Sequence, residues 1–442
     1  MRFKLSLSLA LLVGLPMGCD SNSSSRSEPP PADGSIVAVG EKPAPVPAPT
    51  SLPTPDDGNP PLDNPPADVG GLVGGLRMNQ ADLFRNLGDG IARQAAAFST
   101  SSLKLGQAIE SFCADPVNQD KIPVRTAWKE AMLVWEHMEV LQVGPIAANE
   151  KLLKAGIYGW PRTANICGID EEALKAGKNA NYTLPPNTNR KGLPGIEYLL
   201  YEDTLLSSCA ANKASKKEWD AMPLTDRMQA RCSYLKPLAL ELQASANAVI
   251  QAWGTEGNNY LTSVIGNPAA EKAALQSLYE NLFYLDIEVK NNKLATPAGH
   301  DSGLCPNSPA PCPGTDEFPL SQISREAIHA NISAFTDLIY GFEDSNQKRP
   351  GGFAALVREI GDGPVATRSE ALTRELMGYF AVQNDSLATL IAKQNQENCE
   401  QSQISLLCQL RKSIKQISSD FKYEYSRLLS LTVPAGPQGD ND

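Results

Sequence analysis

Four carboxylates, Glu197, Glu136, Glu139 and Asp170, are the side chains whose type and setting could do chemistry in this sequence. Glu197 lies in RKGLPGIEYLLYED, residues 190–203, where Gly192 ends a loop and Pro194 suits the first helical position, its missing N–H costing nothing there. That spacing puts Glu197 in the first turn, favoured by the helix dipole whatever its role, with Ile196, Leu199 and Leu200 on the buried face. In VRTAWKEAMLVWEHMEVLQV, residues Trp128, Met132, Trp135, Glu139 and Val143 recur at steps of four and three, one continuous helix stripe. An acid on a buried stripe must be paired, hydrogen-bonded or metal-bound, because a lone buried charge costs several kcal/mol. Glu136 stands one turn before Glu139, so both can reach one site, either a metal or a structural network with tyrosines or arginines. Carboxylate and carbonyl donors suit a hard ion such as Fe³⁺, with zinc the other candidate. The irregular segment IYGWPRTANICGID adds Trp160, Arg162 and Asp170 as residues that line a cleft or tie the loop down.

Other catalytic chemistries lack their parts. Only three histidines occur: His137, read as a helix-surface residue, His300 in a loop, and His329 on a helix. No H-E-x-x-H or G-x-S-x-G is present, so the usual zinc peptidase and serine hydrolase arrangements are excluded.

The elements that must position these residues are helices. Helical periods run through 81–98, 102–112, 234–253, 268–290, 321–342, 368–393 and 403–431, and strand-like alternation is scarce. The expectation is an all-α fold of two bundle-like lobes, residues 79–235 with the GLPGIE segment and residues 236–433 with a Cys/Pro-rich loop at 295–319, then a tail at 434–442. Ahead of them, residues 1–18 read as an export signal: Arg2 and Lys4, an apolar run from Leu5 to Leu15, and Gly18 before Cys19. Its ending on cysteine makes Cys19 a candidate for lipidation. Residues 19–78 then form a Pro/Ser-rich linker that cannot bury a core and reaches roughly 150 Å if fully extended. Such a chain faces the periplasm on a lipid anchor in a bacterial membrane.

Cleavage would remove Arg2 and Lys4 and take the net charge from −11 to −13, which argues against nucleic acid and against anionic membrane surfaces as partners. Eight cysteines follow Cys19, an even number that in an exported chain reads as disulfides. Cys305 with Cys312 and Cys399 with Cys408 are the local pairs; Cys113, Cys167, Cys209 and Cys232 are left open.

Taken together, the segments AWKEAMLVWEHMEVLQVGP, IYGWPRTANICGID, GLPGIEYLLYED, LFYLDIEVKNNKLATPAG and FPLSQISREAIHANISAF resemble the imelysin-like family of exported bacterial proteins over most of residues 79–442. The resemblance implies an all-α fold of two lobes with a site between them, a link to iron uptake, and in many members a metallopeptidase label. Gly192 and Glu197 match the glycine and glutamate of its G-x-H-x-x-E signature, but Pro194 stands where the histidine belongs. Proline cannot ligate a metal or carry a proton, and the Gly-Leu-Pro reading marks a branch of the family. The leading expectation is therefore a lipid-anchored periplasmic protein that binds a metal or metal-bearing ligand in support of iron uptake. Glu197, Glu136 and Glu139 are its candidate ligands, and Gly192, Pro194, Glu197, Trp160, Arg162 and Asp170 line its cleft. The alternatives are a metallopeptidase and a non-catalytic adaptor for a periplasmic redox or transport partner.

Overall fold

Asparagine and serine side chains cap the start of several helices. Asn79 accepts from Asp82 N–H while the Asp82 carboxylate accepts from Asn79 N–H, which fixes the start of α1, Gln80–Phe112. The computed structural model describes residues 78–161, 164–253, 259–300, 311–312, 314–343, 351–381, 384–393, 399 and 405–438. The export signal, Cys19, the linker, Arg162 and Cys305 lie outside these residues. The first half continues with α2 (Ile122–Glu139), α3 (Ala148–Ile157), α4 (Ile166–Lys178), α5 (Gly192–Tyr201), α6 (Ala214–Ala221) and α7 (Leu224–Trp253). Then come α8 (Tyr260–Ser263), α9 (Pro268–Leu282), a π-helix at Leu285–Ala295, α10 (Thr296–Ala298) and α11 (Ser324–Tyr340). The chain closes with α12 (Phe353–Ile360), α13 (Gly363–Ala381), α14 (Leu387–Lys393), α15 (Leu406–Asp420), a π-turn at Phe421–Tyr425, α16 (Ser426–Leu429) and α17 (Ala435–Gln438). The fold is all-α, with no β-strand among the described residues.

The long α7 packs along α1, α4 and α5, while α11, α13, α15 and the π-helix pack on one another. Helix α2 touches both sets: α1 and α5 on one side, α11 on the other. Its apolar stripe explains this. Trp128, Met132 and Trp135 are fully buried, and α1 contributes Leu83, Phe84, Ile91 and Phe98 to the same core.

Several boundaries differ from the sequence reading for identifiable reasons. The two periods at 81–98 and 102–112 form one unbroken helix, within which the Thr100 and Ser101 hydroxyls donate back to the Ala96 and Phe98 carbonyls. Helix α7 starts ten residues before the expected 234, since Ala230, Arg231 and Cys232 are already buried, and Pro237 lies inside it. Helix α2 stops at Glu139, so Val143 is buried beyond its end rather than on the helical stripe. The period at 268–290 breaks at Leu282 and re-forms as the eleven-residue π-helix. Such stretches are rare and are frequent at functional sites.

Two disulfides tie distant parts of the first half, Cys113–Cys232 and Cys167–Cys209, and Cys399–Cys408 closes locally as expected. Cys312 is also disulfide-bonded.

A buried lysine and carboxylate centre as candidate functional site

The signature helix α5 is fixed to α2 from both ends. The indole N–H of Trp128 donates to the Leu193 carbonyl at 2.9 Å, and Arg125 donates through Nε and Nη2 to the Leu200 carbonyl at 3.1 and 2.8 Å. Gly192 opens α5 with φ +69°, and a Cβ there would meet the Ile157 carbonyl oxygen at 2.5 Å, so only glycine allows α5 to start against the end of α3. Because Gly192 already counts in the helix, Pro194 is its third residue rather than its first, still within the turn where no N–H is needed. Glu197 accordingly sits beyond the first turn. The burial of α5 also extends past one face, since Gly195 through Leu200 are all buried.

Glu197 is 7% exposed and accepts from the Ser321 N–H at 3.1 Å and the Ser321 hydroxyl at 2.7 Å. Burial pushes its carboxyl up to about 7 against the pull of those two donors, and the nearby charge of Asp316 adds to the rise. Asp170 is tied down elsewhere: Tyr198 OH donates to it at 3.0 Å, and Ser208 donates through N–H at 2.7 Å and hydroxyl at 2.9 Å. Trp160 is half-buried and its carbonyl accepts from Lys154 Nζ at 2.8 Å.

Glu136 and Glu139 come together, and their companions come from far along the chain. Lys293 on the π-helix places Nζ 2.6 Å from Glu136 Oε2, 3.0 Å from Glu317 Oε1 and 3.7 Å from Glu139 Oε2. Asn331 of α11 accepts from Lys293 Nζ at 2.9 Å through Oδ1, and its amide donates to Glu136 Oε2 at 2.9 Å. Glu139 is paired at Oε1 with Lys154 at 2.9 Å and accepts from Tyr284 OH at 2.8 Å through Oε2. Glu317 accepts from Tyr158 OH at 2.7 Å. The side chains of Lys293, Glu136, Glu139 and Glu317 are at most 1% exposed.

Three carboxylates thus face two ammonium groups. Burial pulls the Lys293 ammonium down, but Glu136, Glu317 and Glu139 together hold it above the usual lysine range. Burial likewise raises Glu139, yet Lys154 and Lys293 outweigh it and keep that carboxyl below its ordinary value. Burial and the charges of Glu136 and Glu139 drive Glu317 well above the carboxylate range. Glu317 is therefore where the surplus charge is relieved by a proton.

Among the described residues, three groups of side chains have metal-ligand types within 4.8 Å of one another: His300 with Cys399 and Cys408, Glu171 with Cys167 and Cys209, and Glu136, Glu139 and Glu317. The first two are built on cystines, which lack the thiolate a metal needs. In the third, Lys293 Nζ already stands among the three carboxylates as their cation. A bare metal ion does not fit there with Lys293 in place. Among the described residues, Glu197 belongs to no such group.

His137 is not a surface residue. Its Nε2 is 2.8 Å from Asp337 Oδ2, because α2 is packed against α11 on that side. His300 sits against Cys399, and His329 packs on the Phe380 ring at 5.3 Å. Sequence reading missed Lys293, Glu317, Asn331, Lys154, Tyr158 and Ser321. Lys293 did carry a signal: with Leu282, Asp286 and Val289 it recurs at steps of three and four, an ionisable residue on an apolar stripe just as Glu139 is.

The family model for Imelysin (peptidase M75) matches residues 91–424. No curated protein matches the sequence. Among solved structures, an imelysin-like protein from Psychrobacter arcticum 273-4 superposes with a TM-score of 0.56 at 14% identity, covering 81% of this chain and 99% of that one. A protein described as an iron-regulated protein A precursor from Parabacteroides distasonis ATCC 8503 superposes at 0.53, with 14% identity and 79% and 97% coverage. At that identity these two likenesses concern the fold, while the family match spans three quarters of the sequence and includes the α2 and α5 segments. The chain belongs to the imelysin family.

Proposed function

We propose that this protein is an exported, lipid-anchored imelysin that serves iron acquisition by binding a metal-bearing ligand rather than by cutting peptides. Cys19 is the anchor, and residues 19–78 are the tether that holds the helical body away from the membrane on the periplasmic side. The observation that carries the reading is the pairing of two facts about the site. Pro194 stands at the position of the signature histidine, and the carboxylates that could have bound a naked ion are already neutralised by Lys293 and Lys154. A ligand that brings its own metal asks for hydrogen-bond donors and acceptors instead of an empty coordination sphere.

The test is metal analysis of the full chain purified from its native periplasm. Iron should co-purify in near-equimolar amount, and metal-free protein given bare Zn²⁺ or Fe³⁺ should take up much less than one equivalent. Iron-free native protein would overturn the iron reading. The peptidase alternative rests on Glu197, a buried carboxyl held near neutrality and so suited to act as a base. Chelator-sensitive cleavage of an unfolded protein, lost in Glu197→Ala, would establish that alternative instead.

A further inference from the structure

Glu317 differs from the other two acids of the centre in how it is held. Glu136 and Glu139 belong to α2, whereas Glu317 belongs to the non-helical segment 316–323 that leads into α11. It also differs in pairing: Lys293 answers Glu136 and Lys154 answers Glu139, so Glu317 is the acid with no cation of its own and the one that holds a proton. Its Oε1 rests on two donors supplied by neighbouring elements, Tyr158 OH at 2.7 Å and Lys293 Nζ at 3.0 Å. Its Oε2, and Oε1 of Glu136, are buried with no hydrogen-bond partner among the described residues. A buried acceptor without a donor costs about 1–3 kcal/mol. Each acid thus presents a buried oxygen that a bound ligand could answer.

We infer that Glu317 is a built-in occupant of a ligand site: Lys293 and Tyr158 form a seat for a carboxylate of a metal-bearing small molecule, and segment 316–323 moves aside to admit it. This deepens the proposed function and rests on it. The seat fits a carboxylate because a carboxyl oxygen is what its two convergent donors now hold. A competing ligand must beat a tethered group, whose effective concentration is in the millimolar range. A metal-borne carboxylate does so by keeping its charge beside the Lys293 ammonium, where the protonated Glu317 is the weaker partner. The segment is also held by Ser324 Oγ, which accepts from the Phe318 N–H at 3.2 Å, and by the buried side chains of Phe318 and Ile323. Ser321 is held by Glu197, and Phe318 stacks on Tyr158 at 5.9 Å and meets Trp128 edge-on at 6.1 Å. Its withdrawal would uncover the Tyr158 and Trp128 rings beside the two donors.

Citrate and ferric citrate are the probes, titrated into the mature full chain with Trp fluorescence as the signal, and with hydrogen exchange at 316–323 as a second readout. Wild type should bind ferric citrate and speed exchange of the Phe318 and Ser321 amides. Glu317→Ala should bind both probes at least tenfold more tightly than wild type. Lys293→Met should abolish binding; should it fail to fold, Tyr158→Phe, which keeps the ring, should weaken binding at least fivefold. Equal affinity in wild type and Glu317→Ala, binding indifferent to Tyr158→Phe, or no binding of either probe would overturn the assignment. Metal-free citrate binding to Glu317→Ala reads the seat alone. Iron-free native protein would thus sink the iron role while leaving this seat standing.

Discussion

Lys293 Nζ lies 2.6 Å from Glu136 Oε2, although 157 residues separate the two and each side chain is at most 1% exposed. The contact joins the π-helix to α2 across the place where the two sets of helices meet. Lys293 is the cation of a centre that holds three acids, and its loss would leave them facing Lys154 alone.

Lys293→Met should therefore destabilise the protein by about 3–5 kcal/mol, the usual cost of stranding buried charge. Adding Glu136→Gln should recover a substantial part of it. Urea unfolding of the single and double variants measures this; a double variant no more stable than Lys293→Met would show that the pair is not coupled.

The pH dependence of stability should carry the mark of Glu197. Its carboxyl stands at about 7 in the folded chain against an ordinary 4.5, so between those values the native state keeps a proton that the unfolded state has released. Its contribution is complete below about 4.5 and is lost as pH rises through 7, at up to about 1.4 kcal/mol per unit. Glu197→Gln cannot lose that proton. The stability difference between the variant and wild type should move in the variant's favour from pH 5 to pH 7, and a difference independent of pH would refute the assignment.

Removing a disulfide should cost more where it closes the longer loop. Cys113 and Cys232 are 119 residues apart, Cys167 and Cys209 are 42 apart. Loop entropy gives about 5 kcal/mol for the first pair and about 4 kcal/mol for the second. Paired Cys→Ala variants compared by chemical denaturation should keep that order.

Gly192→Ala should be costly for two reasons at once. The residue is at φ +69°, and its Cβ would lie 2.5 Å from the Ile157 oxygen. A loss of about 1–3 kcal/mol is expected from the backbone alone, with more from the displaced end of α3. A thermal midpoint within 1 °C of wild type (well below the ~2 °C that ~1 kcal/mol produces in a domain of this size) would contradict it.

The sequence by itself determined the helices, because helical periodicity is local: Trp128, Met132 and Trp135 declare the buried stripe of α2 within eight residues. It also determined that Glu139 must have a partner, that Pro194 removes the signature histidine, and that Cys399 and Cys408 could close on each other. Where π-helix replaced α-helix was not legible, since its buried pairs at 285/286, 289/290 and 293/294 recur every four residues, a step that an α-helix also supplies. The partners of the acids were decided by the tertiary structure alone. Glu136 meets Asn331 across 195 residues, and Glu197 meets Ser321 across 124. Nothing local links an acid on α2 to a lysine on a later helix or to a glutamate in a loop. Burial forces each charge to find an opposite one, but packing chooses which. That choice set Lys293 among the three carboxylates, and it placed Glu317 as the one acid of the centre free of a helix.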